Sequence, residues 1–397
     1  MARSILRILG FGLLCLLGCD VGTSSAGGAG GAAGTLGGAS GHSSGGAPIG
    51  GATSGKLRDY LGVTEFPDSF WQVGTAEETH VDVTRLESAA ALIERSGWEI
   101  HSFLVARNGK LAFERYGWST GTSVVDSDKA PHQVLPDERH AQFSTTKSVL
   151  SALIGIALQE GAITSLEQKA IEWFPDAANL NPSPDKALIT LEDLLTMRSG
   201  LKFMEGEEAT FQAPDPARAM LARDVVDLPV GTKWNYSSGG SDILAEILRV
   251  ATRQTPLAYA NAKLFGPLGI SEPPWVAGQN GTNHGGWGLS LTTREMARFG
   301  ELFRNDGRWQ NQSVVPAAWT DTSTTPRCPT SWGGEYAYHW WVPPLPGFFN
   351  TLGAFGQVIY VSRERGLVVV FTANLPNETA NSIFQQIIRD YVVPAAQ

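Results

Sequence analysis

The chain has 397 residues, of which 42% are hydrophobic and 17% are charged, and its formal net charge at pH 7 is −9. This hydrophobic content supports a large buried core and excludes a disordered chain. The negative charge argues against nucleic acid as a partner. Of the three cysteines, Cys15 and Cys19 lie in the N-terminal apolar stretch. The folded body would then hold only Cys328, which excludes a disulfide there and a zinc site built on several of its thiolates.

The N-terminal residues are typical of an export signal. Two arginines precede the apolar run Ile8–Leu17, which is shorter than the roughly 20 apolar residues that span a bilayer. The run ends in LLGC, which resembles a bacterial lipobox, so residues 1–18 are predicted to be a lipoprotein signal peptide and the thiol of Cys19 to carry the lipid. Ordinary secretion with cleavage near Ala26 is the alternative. Either pathway predicts export, and lipidation would tether the protein to a membrane of the bacterial cell envelope, facing the periplasm or the outer surface.

The next segment, residues 19–56, is mostly Gly, Ala, Ser and Thr. It cannot bury enough apolar surface to offset its backbone entropy, so it is predicted to be a flexible tether. Its sequence GHSSG at 41–45 matches the pattern G-x-S-x-G, but that pattern needs a strand before it and a helix after it. We discard this match and predict one composite domain over residues 57–397.

In this domain, strands are predicted near both ends of the chain. Residues 82–97 have the 3.6-residue apolar period of a helix, and Asn108-Gly109 joins two apolar runs as in a β-hairpin. Strands at Val358–Ser362 and Gly366–Thr372 precede a helix over about 377–391. Some 200 mostly helical residues separate these ends. The expected fold is α/β (α+β), with an antiparallel sheet built from both chain ends, flanking helices and a mostly helical inserted subdomain.

The first candidate for chemistry is the segment Phe143–Leu158, which is apolar on nearly every face and therefore predicted to be a core helix. Ser144 would lie at its N-terminus, with Lys147 one turn later on the same face. Unpaired first-turn N–H groups can face an oxyanion, and apolar neighbours lower the pKa of a lysine until it can act as a base for a serine hydroxyl. The alternative is an N-cap serine with a surface lysine. Two further S-x-x-K matches, at 183–186 and 199–202, do not begin a buried helix.

Three further segments follow in order, at 189–201 (ITLEDLLTMRSGL), 229–238 (PVGTKWNYSS) and 286–300 (GWGLSLTTREMARFG). Together with residues 143–161 they resemble the serine β-lactamase and penicillin-binding-protein superfamily from about residue 102 to 373. Trp340-Trp341 and GAFGQ at 353–357 are similar to its branch of class C β-lactamases, family VIII carboxylesterases and 6-aminohexanoate-dimer hydrolases. The resemblance therefore implies a β-lactamase/transpeptidase-like fold.

The resemblance also implies roles for particular residues. Ser144 would be the nucleophile, Lys147 its base or proton shuttle, and Tyr236 the second general acid or base, which hands a proton to the leaving group. The N–H groups of Ser144 and Ala354 would form the oxyanion hole. At Tyr236 the alternative is a buried aromatic side chain in a turn. A literal Y-x-N at 259–261 lies in a helical stretch, where the tyrosine is expected to pack.

Two positions depart from the family pattern. Ser238 stands where the tyrosine motif often has Asn, and its hydroxyl is expected to bond to Lys147 or to the substrate. The third motif, usually K-T-G or H-x-G, aligns with Thr351-Leu352-Gly353, which has no cation for a substrate carboxylate. The H-x-G at 284–286 precedes the wrong element and is expected to be a loop. Ser238, Thr351, Gly353 and Trp341 are the candidate substrate-binding residues.

No metal or cofactor is expected, because the seven histidines show no ligand spacing. The acidic residues 205–208 are interpreted as a solvated loop, or alternatively as a site for an amine-bearing substrate. Cys328 is expected to be an idle thiol, and His339 to line the cleft or to pack. The sequence thus predicts an exported, lipid-tethered serine hydrolase of small ester or amide substrates. The alternatives are a β-lactamase or D,D-peptidase, and an inactive relative that binds peptidoglycan or a partner protein.

Overall fold

The computed structural model describes residues 56–61, 71–121 and 130–397. The predicted signal peptide, Cys19, the 41–45 match and the predicted tether up to residue 55 lie outside the described residues. Within the described ranges, no helix is long and apolar enough to cross a membrane.

A ten-stranded sheet forms the centre of the domain, with nine strands in the order β1-β4-β3-β16-β15-β14-β13-β12-β11 and β2 paired in parallel with β4. All other neighbours in this sheet are antiparallel. Short two-stranded sheets pair β5 with β6, β7 with β8 and β9 with β10. The described strands are β1 Arg58–Asp59, β2 Gln72–Val73, β3 Ile100–Arg107, β4 Lys110–Tyr116, β5 Trp118–Ser119, β6 His132–Gln133, β7 Arg139–Ala141, β8 Ser290–Thr292, β9 Arg308–Trp309, β10 Gln312–Ser313, β11 Cys328–Pro329, β12 Glu335–Tyr336, β13 Trp341–Val342, β14 Phe349–Asn350, β15 Val358–Ser362 and β16 Leu367–Ala373.

The predicted hairpin and the predicted closure of the sheet are both confirmed. Asn108 and Gly109 have φ values of 49° and 80°, as a two-residue hairpin turn requires. Strand β3 then pairs with β16 from the far end of the chain, so that Phe103 lies opposite Phe371. Their rings stack with centroids 4.8 Å apart.

Helices cover both faces of this sheet because apolar side chains of its central strands alternate between two cores. Phe103 and Val105 pack with the first long helix and the C-terminal helix, whereas Leu104 and Ala106 pack with the central helices. The described α-helices are Ala76–Thr79, Val83–Ser96, Thr146–Gln159, Leu191–Leu195, Glu208–Phe211, Pro216–Leu221, Ser238–Thr252, Pro256–Ala260, Thr293–Arg304, Ala317–Thr324, Asn377–Ile387 and Val393–Ala395. Shorter 3₁₀ or π turns lie at Phe143–Thr145, Ala170–Trp173, Ala177–Asn179, Lys186–Leu188, Asn261–Phe265 and Ile388–Val392.

The prediction for the centre of the chain was incomplete. Strands β11 to β14 have two residues each and extend the main sheet beyond β15. A two-residue strand is too short to show an alternating pattern, so this part of the sequence does not indicate strands. The last predicted helix also differs, since its α-helical part ends at Ile387 and the chain continues as a π turn.

Candidate active site

The candidate nucleophile lies where the chain enters the central buried helix. Ser144 is in the short 3₁₀ turn Phe143–Thr145, directly before the helix that begins at Thr146. Its side chain is partly exposed, whereas Lys147 is only 1% exposed. The N-cap of this helix is Thr145, which makes no side-chain capping bond. This geometry excludes the alternative of an N-cap serine beside a surface lysine.

Lys147 points its amine at three oxygen atoms. The Nζ atom lies 3.0 Å from Ser144 Oγ, 2.8 Å from Ser238 Oγ and 2.9 Å from the carbonyl oxygen of Gly286. Burial lowers its pKa from 10.5 to about 8, against the opposing charges of Glu205 and Asp242. A lysine that is partly neutral near pH 7 and in contact with a serine hydroxyl can act as its base.

Tyr236 covers the other side of the same amine. The Nζ atom of Lys147 lies 4.7 Å from the centroid of its ring. Burial and the negative charge of Glu205 raise the pKa of the tyrosine, and a hydrogen bond with Ser144 opposes the rise. The phenol therefore stays protonated and can donate to a leaving group beside Ser144. This contact with Ser144 distinguishes it from an aromatic side chain that only packs.

Local sequence explains why the tyrosine and Ser238 lie there. Ser237 is the N-cap of the helix Ser238–Thr252, and its hydroxyl oxygen accepts the N–H of Gly240 at 3.0 Å. The chain just before the cap is held against the 189–201 segment, because the N–H of Asn235 donates to the carbonyl of Met197 at 2.8 Å. Two of the segments that carried the family resemblance are thus packed together around Tyr236.

Two residues at this site were missed by the sequence analysis. Glu205 accepts the hydroxyl of Ser238 at 2.5 Å and its backbone N–H at 3.0 Å. The interpretation of this acidic segment as a solvated loop was therefore wrong for Glu205. Gly286 belongs to the loop of the discarded H-x-G match, and it supplies a carbonyl to Lys147. A Cβ at 286 would press on Ser238, so glycine there lets the loop approach, although a single sequence does not reveal which glycines do so.

The strand end after β14 lies beside the candidate nucleophile. The hydroxyl of Thr145 donates to the carbonyl oxygen of Gln357 at 3.0 Å, and its oxygen also lies 3.1 Å from Thr351 Oγ1. Thr351 is fully buried, so its hydroxyl holds this strand to the 3₁₀ turn and gives no exposed group for a substrate. A Cβ on Gly353 would collide with the carbonyl oxygen of Gln142. The close approach that needs glycine is thus between two parts of this chain, and Ala354 follows at the partly exposed edge.

Aromatic rings line the side of the site on which Tyr236 lies. Trp332 is 54% exposed, and its ring centroid lies 5.1 Å from that of Tyr236. It stacks on the buried ring of Trp341 at 5.7 Å. Trp234 and Tyr336 complete the cluster. This arrangement presents an apolar, partly exposed surface next to the candidate acid.

The other candidate residues lie in structural roles. The hydroxyl of Tyr259 donates to Glu160 at 2.8 Å, and Lys186 bonds backbone carbonyls. Cys328 is buried. His339 is buried with its Nδ1 atom 3.2 Å from the carbonyl oxygen of Lys147, and burial lowers its pKa to about 3. No group of three or more side chains that could hold a metal ion occurs among the described residues.

The model of the β-lactamase family matches residues 92–388, which is most of the chain. The chain belongs to the β-lactamase family. The resemblance predicted from the sequence motifs is therefore confirmed, and so is the β-lactamase/transpeptidase-like fold.

Proteins to which this chain is similar include a hydrolase, a penicillin-binding protein homologue and a carboxylesterase. A 6-aminohexanoate-dimer hydrolase of Paenarthrobacter ureafaciens is 25% identical over 272 residues, which are 61% of this chain and 68% of that protein. The octameric penicillin-binding protein homologue from Pyrococcus abyssi superposes with a TM-score of 0.62 at 17% identity, over 79% of this chain and 78% of the other. A family VIII carboxylesterase superposes with a TM-score of 0.59 at 16% identity, over 76% and 97%. At these identities the two structures show the shared fold.

Proposed function

We propose that this β-lactamase-family protein is a serine hydrolase that cleaves an ester or amide bond through an acyl-enzyme on Ser144. The observation that carries the proposal is the 3.0 Å contact between Ser144 Oγ and the amine of Lys147, which is 1% exposed. A neutral amine in that position removes the hydroxyl proton as the nucleophile attacks. No cofactor or metal enters the proposed reaction.

The proposed chemistry follows from the three side chains. The Ser144 proton moves to Lys147 Nζ as the Oγ–carbon bond forms, and the carbonyl electron pair moves onto its oxygen. The N–H groups of Ser144 and Ala354 would stabilise that oxyanion. When the tetrahedral intermediate collapses, Tyr236 donates its proton to the departing oxygen or nitrogen and regains one from Lys147. Water then attacks the ester on Ser144 and releases the acid.

The substrate class is proposed from the charge and the shape of the site. Thr351, at the position of the third motif, offers no positive charge, so a neutral acyl group is preferred to a substrate carboxylate. The aromatic cluster of Trp332, Trp341, Trp234 and Tyr336 next to Tyr236 suits an apolar or aromatic leaving group. Membership of the β-lactamase family keeps a β-lactamase or D,D-peptidase as the second candidate, which the same lack of charge disfavours.

Hydrolysis of matched substrates tests this proposal. We expect p-nitrophenyl acetate or butyrate to be hydrolysed by the wild type and not by Ser144→Ala. A chromogenic cephalosporin and an acyl-D-Ala-D-Ala peptide should be poor substrates. Rapid turnover of either would favour the second candidate. A folded wild type that hydrolyses none of them would contradict the proposal and would support an inactive relative that binds peptidoglycan or a partner protein.

We also propose that the protein is exported and anchored by lipid on Cys19. The supports are the short apolar run, the LLGC sequence and the glycine-rich segment that follows. Metabolic labelling with a palmitate analogue in a bacterial host should mark the wild type and not Cys19→Ser, which should leave the membrane fraction. A labelled Cys19→Ser protein, or a wild type without lipid, would contradict the anchor.

A further inference from the structure

Glu205 and Ser238 are joined to the catalytic lysine by an unbroken series of hydrogen bonds. Lys147 Nζ donates to Ser238 Oγ at 2.8 Å, and Ser238 Oγ donates to Glu205 Oε1 at 2.5 Å. The second carboxylate oxygen accepts the N–H of Ser238 at 3.0 Å. Both oxygens of Glu205 are thus engaged with one residue. This occupation argues against the alternative that Glu205 holds an amine of the substrate.

The hydrogen atoms in this series can be assigned from the chemistry of the groups. A carboxylate only accepts, so the single hydroxyl hydrogen of Ser238 points at Glu205. Ser238 Oγ can then only accept from Lys147. The carbonyl of Gly286, 2.9 Å from the same amine, also can only accept. Two N–H bonds of Lys147 therefore donate to acceptors that cannot donate a hydrogen bond back to the amine.

A neutral amine has two N–H bonds and one lone pair. With both N–H bonds committed, the lone pair must face the third neighbour, Ser144 Oγ. Without the carboxylate, the hydroxyl of Ser238 could turn and donate to that lone pair. Lys147 would then donate to Ser144 and could not accept its proton.

We propose that Glu205 is a positioning residue that fixes the Ser238 hydroxyl and thereby aims the Lys147 lone pair at Ser144. The inference rests on the proposed function, because it concerns the same nucleophile and base. It also assigns a role to the departure from the family pattern at Ser238.

The groups around the amine predict a second effect of Glu205. Negative charges on Glu205 and Asp242 raise the pKa of Lys147, in opposition to burial. His339 has a pKa of about 3 and is neutral, and Tyr236 stays protonated. Removing the charge of Glu205 should therefore lower the pKa of Lys147. A variant that merely loosened the loop would lower the rate without this shift.

The test uses the rate at which a fluorophosphonate labels Ser144, followed from pH 5.5 to 9.5 in the full chain. Glu205→Gln should lower the plateau rate about tenfold, because an amide can satisfy only one of the two donors of Ser238. On the acidic side of the pH profile, the pH at which the labelling rate falls to half of its plateau (the acidic limb) should move lower by about half a unit to one unit. Glu207→Gln is the matched control. It removes an equal negative charge two residues from Glu205, from a carboxylate that is paired with Arg223. Its acidic limb should stay in place.

A double variant separates positioning from charge. If Glu205 acts through the hydroxyl of Ser238, adding Glu205→Gln to Ser238→Ala should not lower the plateau labelling rate any further. The acidic limb should still shift, because the charge of Glu205 is removed. Equal losses in both backgrounds, or a Glu205→Gln profile that matches the wild type, would overturn the inference. A wild type that is labelled normally in that case would leave the proposed function standing. A wild type that is never labelled would contradict both.

Discussion

The pH dependence of the proposed nucleophile, Ser144, follows from the burial of its proposed base, Lys147. With a pKa of about 8 in place of 10.5, about one Lys147 in ten is neutral at pH 7, compared with about one in 3,000 for a lysine in water. Burial thus raises the population of the base about 300-fold at that pH. At pH 6 only about one in a hundred remains neutral. The group loses activity as it gains a proton, so the rate falls with decreasing pH.

The assay is the second-order rate of fluorophosphonate labelling, which needs no knowledge of the natural substrate. We expect the rate to rise about tenfold per pH unit up to about pH 8 and then to level off. Lys147→Arg keeps a charge near Ser144 but has no usable base, so its rate should fall by about 10²–10⁴ and its limb should disappear. His339, with a pKa of about 3, cannot produce a limb near 8. A rate independent of pH, or a limb near 10, would refute the reasoning.

Three further variants test individual parts of the site. Tyr236→Phe keeps the ring beside Lys147 but removes the proton donor, so kcat for an amide should fall about 10²–10⁴-fold with KM little changed; an unchanged kcat would exclude the tyrosine as the acid. Gly353→Ala should push the strand away from Gln142 and so displace the Ala354 N–H of the proposed oxyanion hole, which should lower kcat about 10²–10³-fold. The control Ala354→Gly keeps this N–H and should be nearly as active as the wild type. Trp332→Ala should raise KM for aryl esters more than for methyl esters; equal effects on both would contradict a leaving-group surface there.

Local signals in the sequence predicted the parts of the fold that depend on neighbours in the chain. Asn108-Gly109 specifies a turn with two positive φ values. Such a turn brings the flanking apolar runs side by side as antiparallel strands. The helix Val83–Ser96 has Asp82 as its N-cap and Gly97 as its C-cap, both readable signals. The strands β11 to β14 carry no such signal, because their pairing is decided by the sheet edge that β15 presents.

The sequence predicted the site residues that are one helical turn apart in the chain. It did not predict the residues that meet only through the fold. Ser144 lies in the 3₁₀ turn three residues before Lys147, and the apolar faces of the helix that begins at Thr146 predicted the burial of the lysine. Glu205 meets Ser238 across 33 residues, through a loop whose acidic composition is typical of solvated segments. Gly286 contributes only a backbone carbonyl, which no side-chain pattern can indicate.

We propose that Ser144 is an activated nucleophile, and the mass of the peptide that contains it shows whether it reacts. The protein is incubated with a fluorophosphonate and digested with trypsin, which should release residues 140–147 as one peptide. We expect a single adduct on this peptide in the wild type and none in Ser144→Ala. A folded wild type without the adduct, or an adduct that persists in Ser144→Ala, would contradict it.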